Sequence, residues 1–230
     1  MFDLRLETQA LWRSMSRMTT SRATPSVMFI SPERGLGTSS VAASVAMLAS
    51  AKASKPVWLL DLDLRTNPVF GAFEDGAFGG TAEPGRVFDA SLNAPQIFDV
   101  DPPIANRGNT PKLITAVQVG AGNLLVTRFR SGQLAPNQRV RLTSSPGWWT
   151  ALRRSADWII VDAPALSRSS AGLVVAEEMD GVVIVAEADR TTSKAVSDLR
   201  GEIEDHGGRV LGVVMNRIRG DARFVERLLG

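Results

Sequence analysis

A short apolar run followed by a glycine-bearing loop and an alanine-rich stretch limits the folds open to this chain more than any other feature. The run at residues 27–30 predicts a buried strand, and residues 39–53 predict a helix. Gly35 and Gly37 permit the backbone angles that a tight turn between the two requires. Because a helix N-terminus carries unpaired N–H groups and the positive end of a dipole, we expect a phosphate to bind at this loop.

The loop departs at two positions from the phosphate-binding pattern G-x-x-x-x-G-K-[ST]. Thr38 stands where the pattern has the lysine that reaches the β- and γ-phosphates, and Pro32 stands where it has the first glycine. The backbone is therefore predicted to suit a phosphate, whereas the charged side chain is missing.

Composition excludes several classes of protein. The 230 residues, 44% of them hydrophobic and 22% charged, fit one domain with a large core. No apolar run is long enough to span a membrane and no signal peptide is recognisable, so we expect a cytoplasmic protein. The absence of cysteine and the presence of one histidine, His206, argue against thiolate or histidine metal centres. Basic and acidic residues are mixed along the chain, and no nucleic-acid partner is expected.

Acidic residues follow two further predicted strands. The strand at 57–61 leads into Asp61-Leu-Asp-Leu-Arg65, and the strand at 157–162 ends in Asp162, shortly before a proline. Ligands of open parallel sheets bind at the carboxyl ends of the strands, so these acids should lie beside the phosphate loop. Asp61 and Asp63 then suit a hydrated Mg²⁺ ion and a proton acceptor, and Asp162 suits the Mg²⁺ shell. The alternatives are that Asp61 and Asp63 are solvated acids in a turn at the strand end, and that Asp162 caps the next helix.

Strands alternate with helices along most of the chain, which predicts a doubly wound α/β fold with a mainly parallel sheet and helices on both faces. Asn216, at the end of the last strand, either contacts an adenine or is a plain loop residue. We expect residues 1–25 to form an N-terminal helix and linker, and residues 26–230 to form a single domain. The remaining predicted elements are helices at 4–18, 148–155, 191–204 and 221–229 and strands at 123–127, 180–186 and 209–215.

The stretch from 66 to 122 has no clear period and is rich in Gly, Pro and Asn. It is predicted to be an irregular insertion that serves as a lid or interaction surface, or else to hold elements that the pattern does not reveal. One short helix is predicted within it, at residues 86–92.

Taken together, these segments resemble the cytoplasmic domain of bacterial tyrosine kinases, within the wider group of P-loop ATPases that includes chromosome-partitioning and division-site ATPases. The resemblance covers residues 7–218 and rests on the glycine loop, the Asp-x-Asp-x-Arg segment, the strand ending in Asp162 and the Asn-Arg pair after the last strand. It implies ATP or ADP with Mg²⁺ as cofactor. It also implies a membrane polysaccharide co-polymerase as partner, at the inner face of the membrane, in capsule or exopolysaccharide synthesis or export.

The resemblance assigns roles by position. Asp63 would be the base toward a tyrosine hydroxyl, and Asp61 and Asp162 would be the two other catalytic acids. Ser39, Asp61 and Asp162 would hold the metal. The residues assigned to the nucleotide are Arg34, Gly35, Gly37, Thr38, Ser39, Ser40 and Asn216.

Three departures from the family pattern bear on activity. The lysine is replaced by Thr38, a loss worth roughly 2 to 5 kcal/mol at a buried phosphate contact. Arg34 either substitutes for the lysine or is a solvated loop residue. The sequence contains no tyrosine, which excludes autophosphorylation on tyrosine within these residues. The ring-forming motif Glu-x-x-Arg-x-x-Arg has alanine at Ala10, so a homo-oligomer remains an expectation without its full motif.

Three functions are therefore open. The first is a regulatory partner in polysaccharide synthesis or export whose catalysis is weakened or lost. The second is an active ATP-dependent tyrosine kinase or ATPase of the same pathway. The third is a positioning ATPase of the partitioning type, against which Glu33 argues because those ATPases have a signature lysine there.

Overall fold

The structure, a computed structural model, describes residues 1–18, 24–79, 85–104, 112–120 and 122–217. Within these residues strands alternate with helices up to α3 and again from α4 onward, whereas the five strands between α3 and α4 follow one another without an intervening α-helix. The strands are β1 Ser26–Ile30, β2 Val57–Asp61, β3 Val87–Asp89, β4 Phe98–Asp101, β5 Ile114–Val119, β6 Leu124–Phe129, β7 Arg139–Leu142, β8 Trp158–Asp162, β9 Gly181–Glu187 and β10 Val210–Asn216. The helices are α1 Gln9–Met18, α2 Thr38–Ser50, α3 Pro68–Glu74, α4 Pro146–Ser155, α5 Ala171–Val174 and α6 Ser193–Asp205.

The main sheet has eight strands in the order β10-β9-β1-β8-β2-β6-β5-β3. The six strands from β10 to β6 run parallel, whereas β5 and β3 add to one edge in antiparallel pairing. A separate two-stranded antiparallel sheet joins β4 and β7. The predicted doubly wound, mainly parallel α/β fold is confirmed.

Each face of the sheet is covered by its own hydrophobic cluster. In β1, Val27 and Phe29 point to the face covered by α1, α2 and α3, and Met28 and Ile30 point to the opposite face. Because side chains alternate along a strand, five consecutive buried residues can serve two cores at once. This burial explains why the strands that flank the site read as continuous apolar runs.

Helix α1 packs beside α2. It also contacts the sheet, because the ring of Trp12 meets the ring of Trp158, the first residue of β8, edge-on at a centroid distance of 4.7 Å. The helix begins at Gln9, later than the predicted residue 4, because a separate turn bonded from Thr8 N–H to the Leu4 carbonyl precedes it. His206 caps the C-terminal end of α6 and is exposed.

The stretch from 66 to 122 holds helix α3 and strands β3, β4 and β5, which the sequence pattern did not reveal. The helix predicted at 86–92 is wrong, since β3 occupies its centre. Most of the predicted linker, from 19 to 23, and the helix predicted at 221–229 lie outside the described residues. Within the described parts of the chain, no helix is long and apolar enough to cross a membrane.

Candidate functional site

The loop between β1 and α2 adopts the conformation that its glycines predict. Gly35 and Gly37 have φ angles of 81° and 88°, in the left-handed region. Asn216, at the end of β10, donates from Nδ2 to the Leu36 carbonyl at 2.8 Å. A Cβ atom on Gly37 would lie 2.0 Å from that nitrogen, so position 37 requires glycine both for its backbone angle and for space.

Thr38, the first residue of α2, points its hydroxyl into the loop. Its Oγ1 donates to Ser31 Oγ at 2.9 Å, and the Ser31 hydroxyl in turn donates to the Glu33 carbonyl at 2.9 Å. Thr38 is 8% exposed. The position that carries a cation in the standard pattern therefore holds a buried, neutral hydroxyl that is already donating within the loop.

Asp61 lies at the end of β2 and organises the turn into α3. Its Oδ1 accepts from the Asp63 N–H and its Oδ2 from the Val69 N–H, both at 2.9 Å. Burial raises the pKa of Asp61 to about 7, against the lowering effect of these two backbone donors. Both carboxylate oxygens are thus engaged, and the group is costly to ionise when no cation is near.

Asp162, at the end of β8, is opposite Asp61 in the parallel register. Burial raises its pKa well above the usual value, and the neighbouring charge of Asp61 adds to this, whereas a hydrogen bond from Ser39 lowers it. Its Oδ1 has no hydrogen-bond partner among the described residues. A buried carboxylate with an unused oxygen, beside a second carboxylate, is the arrangement that a divalent cation relieves.

The residues present therefore fit Mg²⁺. Ser39 and Asp162 would provide direct or water-mediated contacts, and Asp61 lies opposite Asp162 in the strand register. The described residues contain no cluster of three or more His, Cys, Asp or Glu side chains placed to hold a metal by themselves. Mg²⁺ commonly binds through one or two protein groups together with waters and phosphate oxygens, so a sparse set of ligands suits it.

Asp63, the predicted base, forms an ion pair that the sequence did not indicate. Arg168, in the segment after β8, places Nη1 2.5 Å from Asp63 Oδ2, and Thr66 Oγ1 donates to the same oxygen at 2.6 Å. The guanidinium and the Thr66 hydroxyl together hold the Asp63 carboxylate in place. Nothing in the local sequence marks Arg168, because the pairing depends on the β2 and β8 ends being adjacent.

All the predicted site residues border one cavity of about 460 Å³. It is also bordered by Arg168 and Arg217 and by the first residues of the chain. The predicted site residues that border it are Arg34, Gly35, Gly37, Thr38, Ser39, Ser40, Asp61, Asp63, Asp162 and Asn216.

The N-terminal segment, residues 1–8, crosses the first turns of α2 at the edge of this cavity. The Phe2 N–H donates to Ser40 Oγ at 3.0 Å, and the Leu4 N–H donates to Ser44 Oγ at 2.8 Å. Met1, Phe2 and Leu4 border the cavity. These contacts were not predicted, because they join residues about forty positions apart without any sequence motif.

Two arginines, Arg190 and Arg217, lie near the loop where β9 and β10 end. Arg190 donates from Nη2 to the Arg34 carbonyl at 3.0 Å. Glu187 pairs with both Arg190 and Arg217, at 3.3 Å in each case. The loop is thus held from β10 by an amide and from the end of β9 by a guanidinium.

This sheet order, with a glycine loop leading into a helix and acids at the neighbouring strand ends, places the chain in the class of P-loop folds. Within that class the chain is homologous to the tyrosine-protein kinase CpsD of Streptococcus agalactiae, with 26% identity over 190 residues, 82% of this chain and 73% of CpsD. No protein-family model matches.

Two solved structures support the fold. The kinase domain of the Escherichia coli tyrosine kinase ETK superposes with a TM-score of 0.62 at 19% identity, covering 96% of this chain and 79% of that domain. A ParA family ATPase from Chlorobium tepidum gives a TM-score of 0.54 at 17% identity, over 87% of this chain and 77% of that one. The resemblance to bacterial tyrosine kinases and to P-loop ATPases is confirmed.

Proposed function

We propose that this chain is a nucleotide-binding regulatory module of the bacterial tyrosine kinase type, whose own phosphoryl transfer is weakened or lost. It acts with a membrane polysaccharide co-polymerase in the synthesis or export of a capsular or extracellular polysaccharide. The homology to CpsD and the family resemblance support the setting. The observation that supports the regulatory role is that Asp61 and Asp162 lie together at the cavity beside the glycine loop, whereas Thr38 stands where the pattern has its lysine.

The N-terminus of α2, together with Ser39 and Asp162, accounts for how a nucleotide would be held. The N-terminal turn of α2 offers backbone N–H groups to phosphate oxygens, and its dipole favours their charge. Ser39 and Asp162 would hold Mg²⁺, which would supply positive charge to the phosphates and to the buried acids. The unused Oδ1 of Asp162 gains a partner in this way. Binding therefore also stabilises the fold.

The replacement of the lysine by Thr38 accounts for weak catalysis. The developing charge on a transferred phosphoryl group is stabilised by fixed cations, and Thr38 supplies none. Its hydroxyl is occupied by Ser31. A nucleotide that binds without being turned over acts as a ligand of the folded state, and its occupancy is then the regulatory variable.

A second function, an active kinase or ATPase, is favoured by the guanidinium groups around the cavity. Arg34, Arg168 and Arg217 all border it. A guanidinium can bind a phosphate with two parallel hydrogen bonds, which a threonine cannot. In this case Arg168 would leave Asp63 for the phosphate and free that carboxylate to accept a proton.

Calorimetric titration with ATP and ADP, with and without Mg²⁺, followed by a hydrolysis assay on the same sample, separates these functions. The regulatory role predicts binding that strengthens with Mg²⁺ and negligible hydrolysis. Rapid hydrolysis would favour the second function. No binding at millimolar nucleotide would contradict both, and failure to recover a co-polymerase from native membranes with the tagged chain would contradict the proposed partnership.

A further inference from the structure

A second cavity of about 310 Å³ adjoins the nucleotide cavity. Three residues border both of them: Asp63, Pro164 and Arg168. The ion pair between Asp63 and Arg168 therefore lies in the wall between the two cavities. Because both residues border both cavities, a ligand in either cavity can contact this ion pair.

The second cavity runs along the free edge of β7. Val140, Arg141 and Leu142, three consecutive residues of this strand, border it. Successive side chains of a strand point to opposite faces, so a cavity bordered by three consecutive residues fits a position along the strand's edge. Within the described residues β7 pairs with β4 alone, which leaves its other edge without a strand neighbour. Unpaired backbone groups of this kind can accept an added strand.

The rim of this cavity is positively charged and its floor is apolar. Arg65 and Arg141 are exposed on the rim, close to Arg168. The only carboxylate among the bordering residues is Asp63, which Arg168 already neutralises. The apolar residues that border the cavity are Leu62, Leu64, Val140, Leu142, Pro164, Ala171 and Val174.

We propose that this groove docks an extended, acidic peptide segment of a protein partner. The segment adds to the edge of β7 through its backbone, and its carboxylates pair with Arg65 and Arg141. A free phosphate would leave the apolar floor exposed to water, and a neutral polysaccharide would bring no negative charge to Arg65 and Arg141. An alternating peptide satisfies all three features, since one set of side chains meets the floor while the other reaches the rim.

The docking deepens the proposed function by giving the partner's chemistry, and only its coupling to nucleotide rests on the nucleotide site. A peptide carboxylate that reaches Arg168 competes with Asp63 for the same guanidinium. Nucleotide and peptide therefore alter each other's affinity by the same factor. Docking itself needs no nucleotide, so it is measured in the nucleotide-free protein.

The test uses fluorescence anisotropy of labelled octapeptides that alternate Glu with Thr or Lys with Thr, titrated with the full chain. We expect the glutamate peptide to bind at least tenfold more tightly than the lysine peptide. Arg141→Glu should weaken binding of the glutamate peptide by roughly tenfold or more, the size of one lost close charge contact. A glutamate peptide with N-methylated alternate amides should also lose at least tenfold, because it cannot complete a strand pair.

Arg139→Glu is the matched control. Arg139 is exposed on the same strand, faces Asp101 as Arg141 faces Asp99, and does not border the cavity. It should change peptide affinity by less than about threefold, although it alters net charge equally. Equal effects of the two substitutions, no preference for the acidic peptide, or full binding of the N-methylated peptide would each overturn the proposal. Absent nucleotide binding would contradict the proposed function while leaving these peptide outcomes readable.

Discussion

Asp61 and Asp162 lie directly opposite each other at the carboxyl ends of β2 and β8, and both carboxyl groups are buried. They differ in what satisfies them. Asp61 accepts two backbone N–H groups that shape the turn into α3. Asp162 accepts from the Ser39 hydroxyl, and its Oδ1 has no partner in the part of the chain that the structure describes. Asp61 thus shapes the turn beside the cavity, and Asp162 keeps one carboxylate oxygen without a hydrogen-bond partner among the described residues.

This pair predicts an unusual pH dependence of stability. The pKa of Asp61 rises to about 7 in the folded state, from about 4 in an unfolded chain. The folded protein then binds more protons than the unfolded one across that window, so the free energy of unfolding should fall as the pH rises from about 4 to about 7. Chemical denaturation of the metal-free protein at several pH values measures this slope.

Asp162→Asn tests the origin of that slope. The substitution removes one of the two groups whose pKa is raised by burial, and it should flatten the slope and abolish stabilisation by Mg²⁺ near neutral pH. Asp99→Asn, which removes an exposed carboxyl on β4, is the control and should change neither. An unchanged slope in Asp162→Asn would show that the buried pair does not govern the titration.

Restoring a lysine at position 38 should restore nucleotide affinity. Thr38 borders the cavity, and a cation there gains a charge-assisted contact worth roughly 2 to 5 kcal/mol, or about 30-fold to several thousand-fold in the dissociation constant. We expect Thr38→Lys to tighten binding of ATP with Mg²⁺ by at least the lower figure and to raise hydrolysis, measured by calorimetry and phosphate release.

Thr38→Val is the matched control, because it removes the hydrogen bond to Ser31 without adding charge. It should leave affinity within a few-fold of the original value. If Thr38→Lys hydrolyses ATP no faster than the original chain, the missing lysine is not what limits catalysis.

The parts of the site that the sequence predicted are those that local patterns determine. A buried strand reads as an apolar run, and the rule that parallel strands end at one edge brings Asp61, Asp162 and the glycine loop together. The parts it missed depend on contacts between distant segments, such as Arg168 with Asp63. Helix α3 has seven residues and strand β3 has three, too few to establish a period amid the surrounding turns.

The contact between Gly37 and Asn216 should appear as non-additive energetics. Gly37→Ala forces a Cβ into a left-handed backbone angle and against Asn216 Nδ2, and it should destabilise the fold by about 2 to 4 kcal/mol. Asn216→Ala loses the bond to the Leu36 carbonyl, at about 1 to 2 kcal/mol. The double variant should lose less free energy of unfolding than the two single variants lose in total, because removing the Asn216 amide relieves the clash with the new Cβ. Chemical denaturation of all four proteins measures this, and strict additivity would place the whole cost of Gly37→Ala in its backbone angle.

The N-terminal segment should compete with nucleotide. Phe2 and Leu4 border the cavity and bond through their N–H groups to Ser40 and Ser44 on α2. Deleting residues 2–7 leaves α1 intact and frees the Ser40 hydroxyl, so we expect nucleotide affinity to rise several-fold, chiefly through faster association measured by stopped-flow fluorescence. Leu6→Ala is the control, because Leu6 is 81% exposed and does not border the cavity. Equal association rates in the deletion and the original chain would mean that the segment rests on α2 without restricting access to the loop.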